Sequence, residues 1–169
     1  MNNHEKLRRL TLTGVLTALT TVATLLIHIP TPTKGYINLG DTVVNLCAWI
    51  LGPAWGAAAA GIGSALADLL AGYAVYAPAT LIIKALMALA AFYVFTLLSR
   101  KHGSFPARLF AAVAAEAVMI LGYAVFEGFL YGSFAMAVAS VSGNLVQGLF
   151  GAAASVTLFS LLSRRTIAR

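Results

Sequence analysis

The chain has 169 residues, 60% of them apolar and 9% charged, with a mean hydropathy of +0.90, whereas soluble domains are about 45–50% apolar and about 25% charged. This composition excludes an ordinary soluble protein and predicts a single integral-membrane domain, residues 1–169. The single Cys47 excludes an intrachain disulfide, and the net charge of +6 indicates nucleic-acid binding only if membrane topology does not explain it.

Six apolar runs predict an all-α membrane protein, a single bundle of six transmembrane helices. The second run has only ten residues, about 15 Å of helix in a hydrocarbon core of about 30 Å. Something else must complete that crossing, and the preceding loop, residues 31–40, can dip into the protein, which makes it a candidate lid. The predicted spans are residues 7–29, 42–51, 54–71, 78–99, 106–129 and 134–162.

Basic residues are concentrated on one side of the predicted bundle. Because short cytoplasmic loops carry the excess of Lys and Arg, this bias places both termini inside and the loops 31–41, 72–77 and 130–133 outside. The positive charge therefore has a topological explanation, and no nucleic-acid partner is expected. The nine basic residues of eleven that flank the inner side are Lys6, Arg8, Arg9, Arg100, Lys101, Arg108, Arg164, Arg165 and Arg169.

Polar residues interrupt the apolar runs at similar depths. A charge in hydrocarbon costs at least about 2.5–3.5 kcal/mol, so each needs a partner or a ligand. Asp41 and Asn45 begin the second run. By the helical rise, Asp68 lies about 21 Å from the inner surface and Lys84 about 9 Å below the outer one. We therefore expect a polar pocket that opens outward.

The fifth and sixth helices add polar faces. Glu116, Tyr123 and Glu127 share one face of the fifth. Asn144 and Gln147 share one face of the sixth, with Ser140 and Gly151 on the same stripe.

Each polar group also has a structural interpretation. Asp68 and Lys84 could form an ion pair between helices. Asn144 and Gln147 could join helices by hydrogen bonds, Glu127 could reach outer water, and the loop tyrosines could form an aromatic belt instead of stacking on a ligand.

Motifs for catalysis and metal binding are missing. The sequence has no G-x-x-x-x-G-K-[ST] phosphate loop, no G-x-S-x-G and no His or Cys pairs at metal spacing. We therefore expect no catalytic residues and no metal, and ATP hydrolysis by this chain is excluded.

Several stretches together resemble a known family. These are residues 35–41 (GYINLGD), 52–56 (GPAWG) and 67–73 (ADLLAGY), with Lys84 after Pro78 and Gly143-Asn144 before Gln147. The pattern resembles the substrate-binding S components of energy-coupling factor (ECF) vitamin transporters, and it looks most like the members that carry hydroxymethylpyrimidine, pyridoxine or riboflavin.

The resemblance implies a subunit of a prokaryotic cell membrane that captures a vitamin or precursor at the outer face, with the first loop closing over it. It implies two kinds of partner, a transmembrane coupling subunit and two cytoplasmic ATPases, which use the ATP, so this chain needs no cofactor. Gly14 and Ala18 would match the small-residue motif through which the first helix meets the coupling subunit. The family more often has Ala at the first of these positions.

The sequence and the resemblance together give a candidate substrate-binding set: Tyr36, Asn38, Asp41, Asn45, Asp68, Tyr73, Lys84, Tyr123, Glu127, Asn144 and Gln147. A pyridoxine-like or hydroxymethylpyrimidine-like ring is the preferred substrate; riboflavin, or pantothenate held by Lys84, is the alternative.

Two other classes of function remain. A stand-alone proton-coupled carrier would use Glu116 or Asp68 as its proton site. An enzyme built on Glu116 and Glu127 is disfavoured because the two lie about 16 Å apart along one helix.

Overall fold

In the part of the chain that the structure describes, the protein is a bundle of six α-helices with one pair of short antiparallel strands. The computed structural model describes residues 3–27, 29–30, 36–102 and 104–167. The helices are α1 (Asn3–Leu26), α2 (Gly40–Leu51), α3 (Pro53–Leu70), α4 (Ala77–His102), α5 (Ser104–Tyr131) and α6 (Phe134–Ile167), and the strands are β1 (Ile29–Pro30) and β2 (Tyr36–Ile37).

The six predicted helices are confirmed, with corrections at their ends. The first helix ends at Leu26, before the predicted residue 29, while α4 and α6 continue past the predicted residues 99 and 162. Hydropathy marks where a helix leaves the apolar solvent, but backbone hydrogen bonds continue into water. Apolar runs therefore underestimate helix length at polar ends.

Strands β1 and β2 were not predicted. They pair antiparallel, with Ile29 opposite Ile37 and Pro30 opposite Tyr36. Residues 31–35 of the predicted lid lie outside the described residues. We call the end of the bundle that carries these strands the hairpin end, and the opposite end, where α1 begins, the terminal end.

The short helix α2 lies at the centre of the bundle. It packs against α1, α3, α4 and α6, and Val44, Cys47 and Ala48 are fully buried. The burial of Cys47 confirms that it is a core residue. Ten of the twelve residues of α2 are buried, polar ones included, so its neighbours surround it on all sides.

Glycines let the helices of the bundle approach closely. A Cβ at Gly56 would stand 2.7 Å from the Cys47 carbonyl oxygen, and one at Gly63 would stand 2.6 Å from the Thr17 carbonyl oxygen. The small residues of α3 therefore pack inside the molecule, against α2 and α1. At the terminal end, Gly52 has φ of 82°, which joins α2 to the Pro53 start of α3.

The outer surface of the bundle is strongly apolar. Many Leu, Val, Ile and Phe side chains are exposed on it, Leu149 and Phe129 among them. Within the described residues, four helices are long and apolar enough to cross a membrane: α1, α4, α5 and α6. This surface belongs to a membrane protein.

Candidate functional site

A polar cavity opens at the hairpin end of the bundle. The cavity volume is about 30 Å³, and the space between its atoms, part of which is continuous with the surrounding solvent, is about 490 Å³. The side chains that line it come from β2, five helices, the segment before α2 and the turn before α4: Thr24, Tyr36, Asn38, Ser64, Asp68, Tyr76, Thr80, Lys84, Tyr123, Glu127, Ser140, Asn144 and Gln147.

The floor of the cavity is a buried ion pair. Lys84 Nζ donates to Asp41 Oδ1, and Gln147 Nε2 donates to Asp41 Oδ2 at 2.6 Å. The ammonium also lies 5.5 Å from the centre of the Tyr123 ring, within the range of a cation–π contact. The considered pairing of Lys84 with Asp68 is therefore wrong, because the first turn of α2 presents Asp41 to α4.

Asn45 lies deeper than the floor and does not line the cavity. Its Nδ2 donates to Glu116 Oε1 at 3.2 Å and to Ser155 Oγ at 3.3 Å. Gly151 makes room for this cluster, since a Cβ there would lie 2.8 Å from Glu116 Oε1 and 2.9 Å from the Asp41 Cβ. These groups support Asp41 from below.

Strand β2 covers one side of the cavity. The Tyr36 hydroxyl donates to Asp68 Oδ1 at 2.5 Å, and the Tyr36 ring lies 4.9 Å from the Tyr73 ring. Burial, together with the neighbouring Asp68 carboxylate, raises the pKa of Tyr36. The phenol therefore remains a hydrogen-bond donor, and Tyr73 supports it without lining the cavity itself.

A second group of phenols surrounds Glu127. The Tyr76 hydroxyl donates to Glu127 Oε1 at 3.3 Å and lies 3.0 Å from the Tyr131 hydroxyl. Burial, followed by the Tyr131 contact, raises the pKa of Tyr76. Glu127 is only 3% exposed. The interpretation that Glu127 reaches outer water is therefore wrong, because its side chain is buried and lines the cavity.

The segment between β2 and α2 is joined to α6. The Asn38 backbone N–H donates to Gln147 Oε1 at 2.8 Å, and Asn38 Oδ1 accepts from the Gly40 N–H at 2.8 Å. Gln147 therefore connects this segment to the Asp41 carboxylate. A movement of the segment would therefore also change the hydrogen bond between Gln147 and Asp41 at the floor of the cavity.

Eight of the eleven predicted residues line the cavity. Asp41 and Tyr73 each contact a residue that lines it, whereas Asn45 lies deeper, against Glu116 and Ser155. Ser64 and Thr80 were missed, although each lies one helical turn before a predicted residue, Asp68 and Lys84. Tyr76 was considered for an aromatic belt or for stacking on a ligand, but it was left out of the candidate set.

Other predicted features can also be located. In the described part of the chain, no group of three or more His, Cys, Asp or Glu residues could hold a metal ion. Gly14 and Ala18 lie on an exposed face of α1, and nothing lies within 4 Å of a Cβ built at Gly14. That face is open to a partner.

Known structures and sequences place this arrangement in a family. A solved S component of a bacterial ECF transporter has a TM-score of 0.72 at 18% identity, covering 95% of this chain and 98% of that one. A solved S component for biotin from an ECF-type ABC transporter has a TM-score of 0.74 at 19% identity, covering 100% of this chain and 95% of that one. These likenesses show a common fold.

Sequence similarity identifies the family itself. A relative from Pyrococcus woesei, described as an uncharacterized protein in a gap 3' region, is 36% identical over 146 residues, covering 86% of this chain and 95% of the relative. A family model described as the ECF-type riboflavin transporter, S component, matches residues 4–164. The chain therefore belongs to the ECF-type riboflavin transporter S component family, and it is a binding subunit of a vitamin transporter and not an enzyme.

Proposed function

We propose that this protein captures a heterocyclic vitamin or vitamin precursor in the cavity at the hairpin end, as the binding subunit of an ATP-driven ECF importer. One observation carries the proposal: hydroxyl, amide, carboxylate and ammonium groups from separate helices converge on one cavity in an otherwise apolar bundle. Polar groups inside a membrane protein are costly, and their convergence is typical of a substrate site.

The preferred substrate is a ring of the pyridoxine or hydroxymethylpyrimidine type. The rings of Tyr36, Tyr76 and Tyr123 offer stacking surfaces, and the surrounding hydroxyl and amide groups can bind ring nitrogens and hydroxyls. Pantothenate is less favoured than the sequence suggested, because Asp41 already neutralises Lys84. Riboflavin is the second candidate, favoured by the description of the matching family.

The strand and segment before α2 are proposed to act as the lid. Two hydrogen bonds hold them over the cavity, Tyr36 to Asp68 and Asn38 to Gln147. Both partners of these bonds line the cavity. A ligand that competes for Asp68 or Gln147 would therefore change how the lid is held.

Transport is proposed to need partners. The chain has no phosphate-binding loop, so the energy has to come from two ATPases through a transmembrane coupling subunit. The exposed Gly14 and Ala18 face is the proposed contact with that subunit, because small residues let membrane helices pack closely. Because Lys and Arg are concentrated on the opposite side, we expect the hairpin end to face outward from a prokaryotic cell membrane.

The first test is mass spectrometry of small molecules that copurify with the detergent-solubilised protein, followed by titration with each vitamin found. We expect one tightly bound heterocycle, and Asn144→Ala should weaken it about tenfold because one amide contact is lost. Ser142→Ala is the matched control, since its hydroxyl is exposed and bonds only within α6. A protein that binds no vitamin contradicts the proposal.

The second test separates an ECF subunit from a proton-coupled carrier. The purified chain in vesicles should bind its ligand but not accumulate it, with or without a proton gradient. Accumulation should require the coupling subunit, the two ATPases and ATP. If the chain alone takes up the ligand when a proton gradient is applied, the protein is instead a stand-alone proton-coupled carrier.

A further inference from the structure

We propose, building on the vitamin-binding function above, that the Glu116 carboxyl carries a proton, which it donates in a hydrogen bond to Asp41, and that this bond positions the floor of the cavity. Glu116 does not line the cavity. It is therefore a positioning residue, which acts on a ligand through Asp41 and the groups that Asp41 holds.

Glu116 and Asp41 are two buried carboxyl groups in contact. Glu116 is 4% exposed and Asp41 is fully buried. Their side chains form a hydrogen bond, and both lie beside the backbone of Gly151, where a Cβ would stand 2.8 Å from Glu116 Oε1 and 2.9 Å from the Asp41 Cβ. Two ionised carboxylates have only acceptor oxygens and repel each other. A hydrogen bond between them therefore requires one proton.

The other partners of the two groups assign this proton to Glu116. Asp41 accepts from the Lys84 ammonium and the Gln147 amide, and donors of this kind favour the ionised form of a carboxyl group. Glu116 Oε1 accepts from the Asn45 amide at 3.2 Å, whereas no N–H or O–H group of the described residues donates to Glu116 Oε2. Oε2 is therefore the oxygen that carries the proton.

The surroundings of Glu116 contain no charge that could balance a second carboxylate. Helix α5 packs against α2, α4 and α6. Among the described residues, α2 presents the acidic Asp41, α4 presents Lys84, which is already paired with Asp41, and α6 presents Gly148 and Gly151. A Cβ at Gly148 would lie 3.4 Å from Glu116 Oε2, so the backbone of α6 leaves little room for water. An ionised Glu116 would be an unpaired charge inside an apolar bundle, which is costly.

The protonated carboxyl completes a set of three donors around Asp41. These are Lys84 on α4, Gln147 on α6 and Glu116 on α5, so three helices meet at the first turn of α2. Lys84 and Gln147 line the cavity themselves, and Gln147 also binds the Asn38 N–H of the proposed lid. Without the Glu116 donor, Asp41 would hold these two groups less firmly, and a ligand would meet a less ordered floor.

Infrared spectroscopy of the full chain in detergent tests the protonation directly. A protonated carboxylic acid has a C=O stretching band that an ionised carboxylate lacks. We expect the difference spectrum between the wild-type protein and Glu116→Gln at neutral pH to contain one carboxylic acid band. A difference spectrum that contains only carboxylate bands would overturn the proposal, whether or not a vitamin binds.

Two substitutions of similar size test the positioning role. Glu116→Gln keeps an N–H donor for Asp41 and an acceptor for Asn45, whereas Glu116→Met keeps only the length of the side chain. In titrations with pyridoxine and with riboflavin, we expect Glu116→Gln to bind at least about tenfold more tightly than Glu116→Met. Equal binding by the two variants would contradict the role.

A third substitution serves if Glu116→Met does not fold. Glu116→Asp keeps the carboxyl group but shortens its reach to Asp41, and it should also bind at least about tenfold more weakly than Glu116→Gln. Binding by Glu116→Asp as tight as by Glu116→Gln would count against the role in the same way. Ser142→Ala, at an exposed position of α6, is the control and should keep both the infrared band and the affinity.

Addition of ligand separates a positioning proton from a transported one. The Glu116 band should persist when pyridoxine or riboflavin saturates the protein, because the carboxyl lies below the floor. Loss of the band would mean that the proton leaves on binding, and it would contradict the fixed role. If the band is present and no vitamin binds, the proposed function fails and the proton assignment stands; if a vitamin binds and the band is absent, the reverse holds.

Discussion

At the scale of single residues, the Lys84–Asp41 pair is the main structural determinant of the site. Lys84 is 2% exposed and Asp41 is fully buried, so neither charge can be hydrated if its partner is removed. A buried pair contributes little net stability, but breaking it by removing one partner is strongly unfavourable. The pair fixes the start of α2 against α4 and therefore the shape of the cavity floor.

We expect Lys84→Ala to destabilise the protein by about 3–5 kcal/mol, because it leaves the Asp41 carboxylate buried without its cation. From the sequence alone, the variant was expected to lose vitamin binding and remain stable; the ion pair changes that expectation. The measurement is thermal unfolding of the detergent-solubilised protein. The double variant Asp41→Asn with Lys84→Met should recover much of the loss, and a fully stable Lys84→Ala protein would contradict this account.

Gly151 is the second residue whose size matters. Gly151→Ala should place a methyl group against Glu116 and Asp41 and cost about 1–3 kcal/mol, as overpacking does. Gly14→Ala is the matched control, because a Cβ there meets nothing within 4 Å and alanine favours helix. Thermal unfolding of the two variants compares them directly, and equal midpoints would show that the space around Gly151 can adjust.

At the scale of the elements, the two sides of α1 serve different purposes. One side packs against α3, where the Thr21 hydroxyl donates to the Gly63 carbonyl at 2.8 Å. The other side exposes Gly14 and Ala18 together with Leu10 and Val22. Because α1 is the least buried of the four clear membrane spans, it has the most surface left for another membrane helix.

Gly14→Leu should abolish copurification with the coupling subunit but leave the vitamin dissociation constant unchanged. The larger side chain prevents close helix approach, and Gly14 lies at the middle of α1, about 15 Å along the helix from Thr24, the residue of α1 that lines the cavity. Val15→Leu, at a neighbouring exposed position, is the control for added bulk. If the Gly14→Leu protein assembles normally, the coupling subunit must bind at another surface.

Helices could be predicted from the sequence, but contacts between them could not. Apolar runs and the Gly52-Pro53 turn located all six helices because these signals are local. The sequence suggested Asp68 as the partner of Lys84, but the structure has Asp41 there. Both aspartates lie at a similar depth, and the depth of a side chain along its helix does not say which neighbouring helix the side chain faces. Strands β1 and β2 were missed because two residues of strand leave no periodic signal.

At the scale of the whole molecule, the two ends of the bundle differ in charge and in structure. The hairpin end holds the cavity and its buried carboxylates, whereas the terminal end carries exposed basic residues such as Arg8, Arg9 and Lys101. Lys and Arg near the ends of membrane spans are retained on the cytoplasmic side. From this charge distribution we predict a cavity that faces outward and a basic surface that faces inward.

This orientation predicts the accessibility of engineered cysteines in intact cells. Ala74→Cys, in the exposed turn between α3 and α4, should react with a membrane-impermeant maleimide added outside, while Lys101→Cys at the end of α4 should react only after the cells are opened. The native Cys47 gives little background because it is fully buried. Labelling of Lys101→Cys in intact cells, with Ala74→Cys protected, would mean that the cavity faces the cytoplasm, and capture of a vitamin from outside would then be impossible in this state.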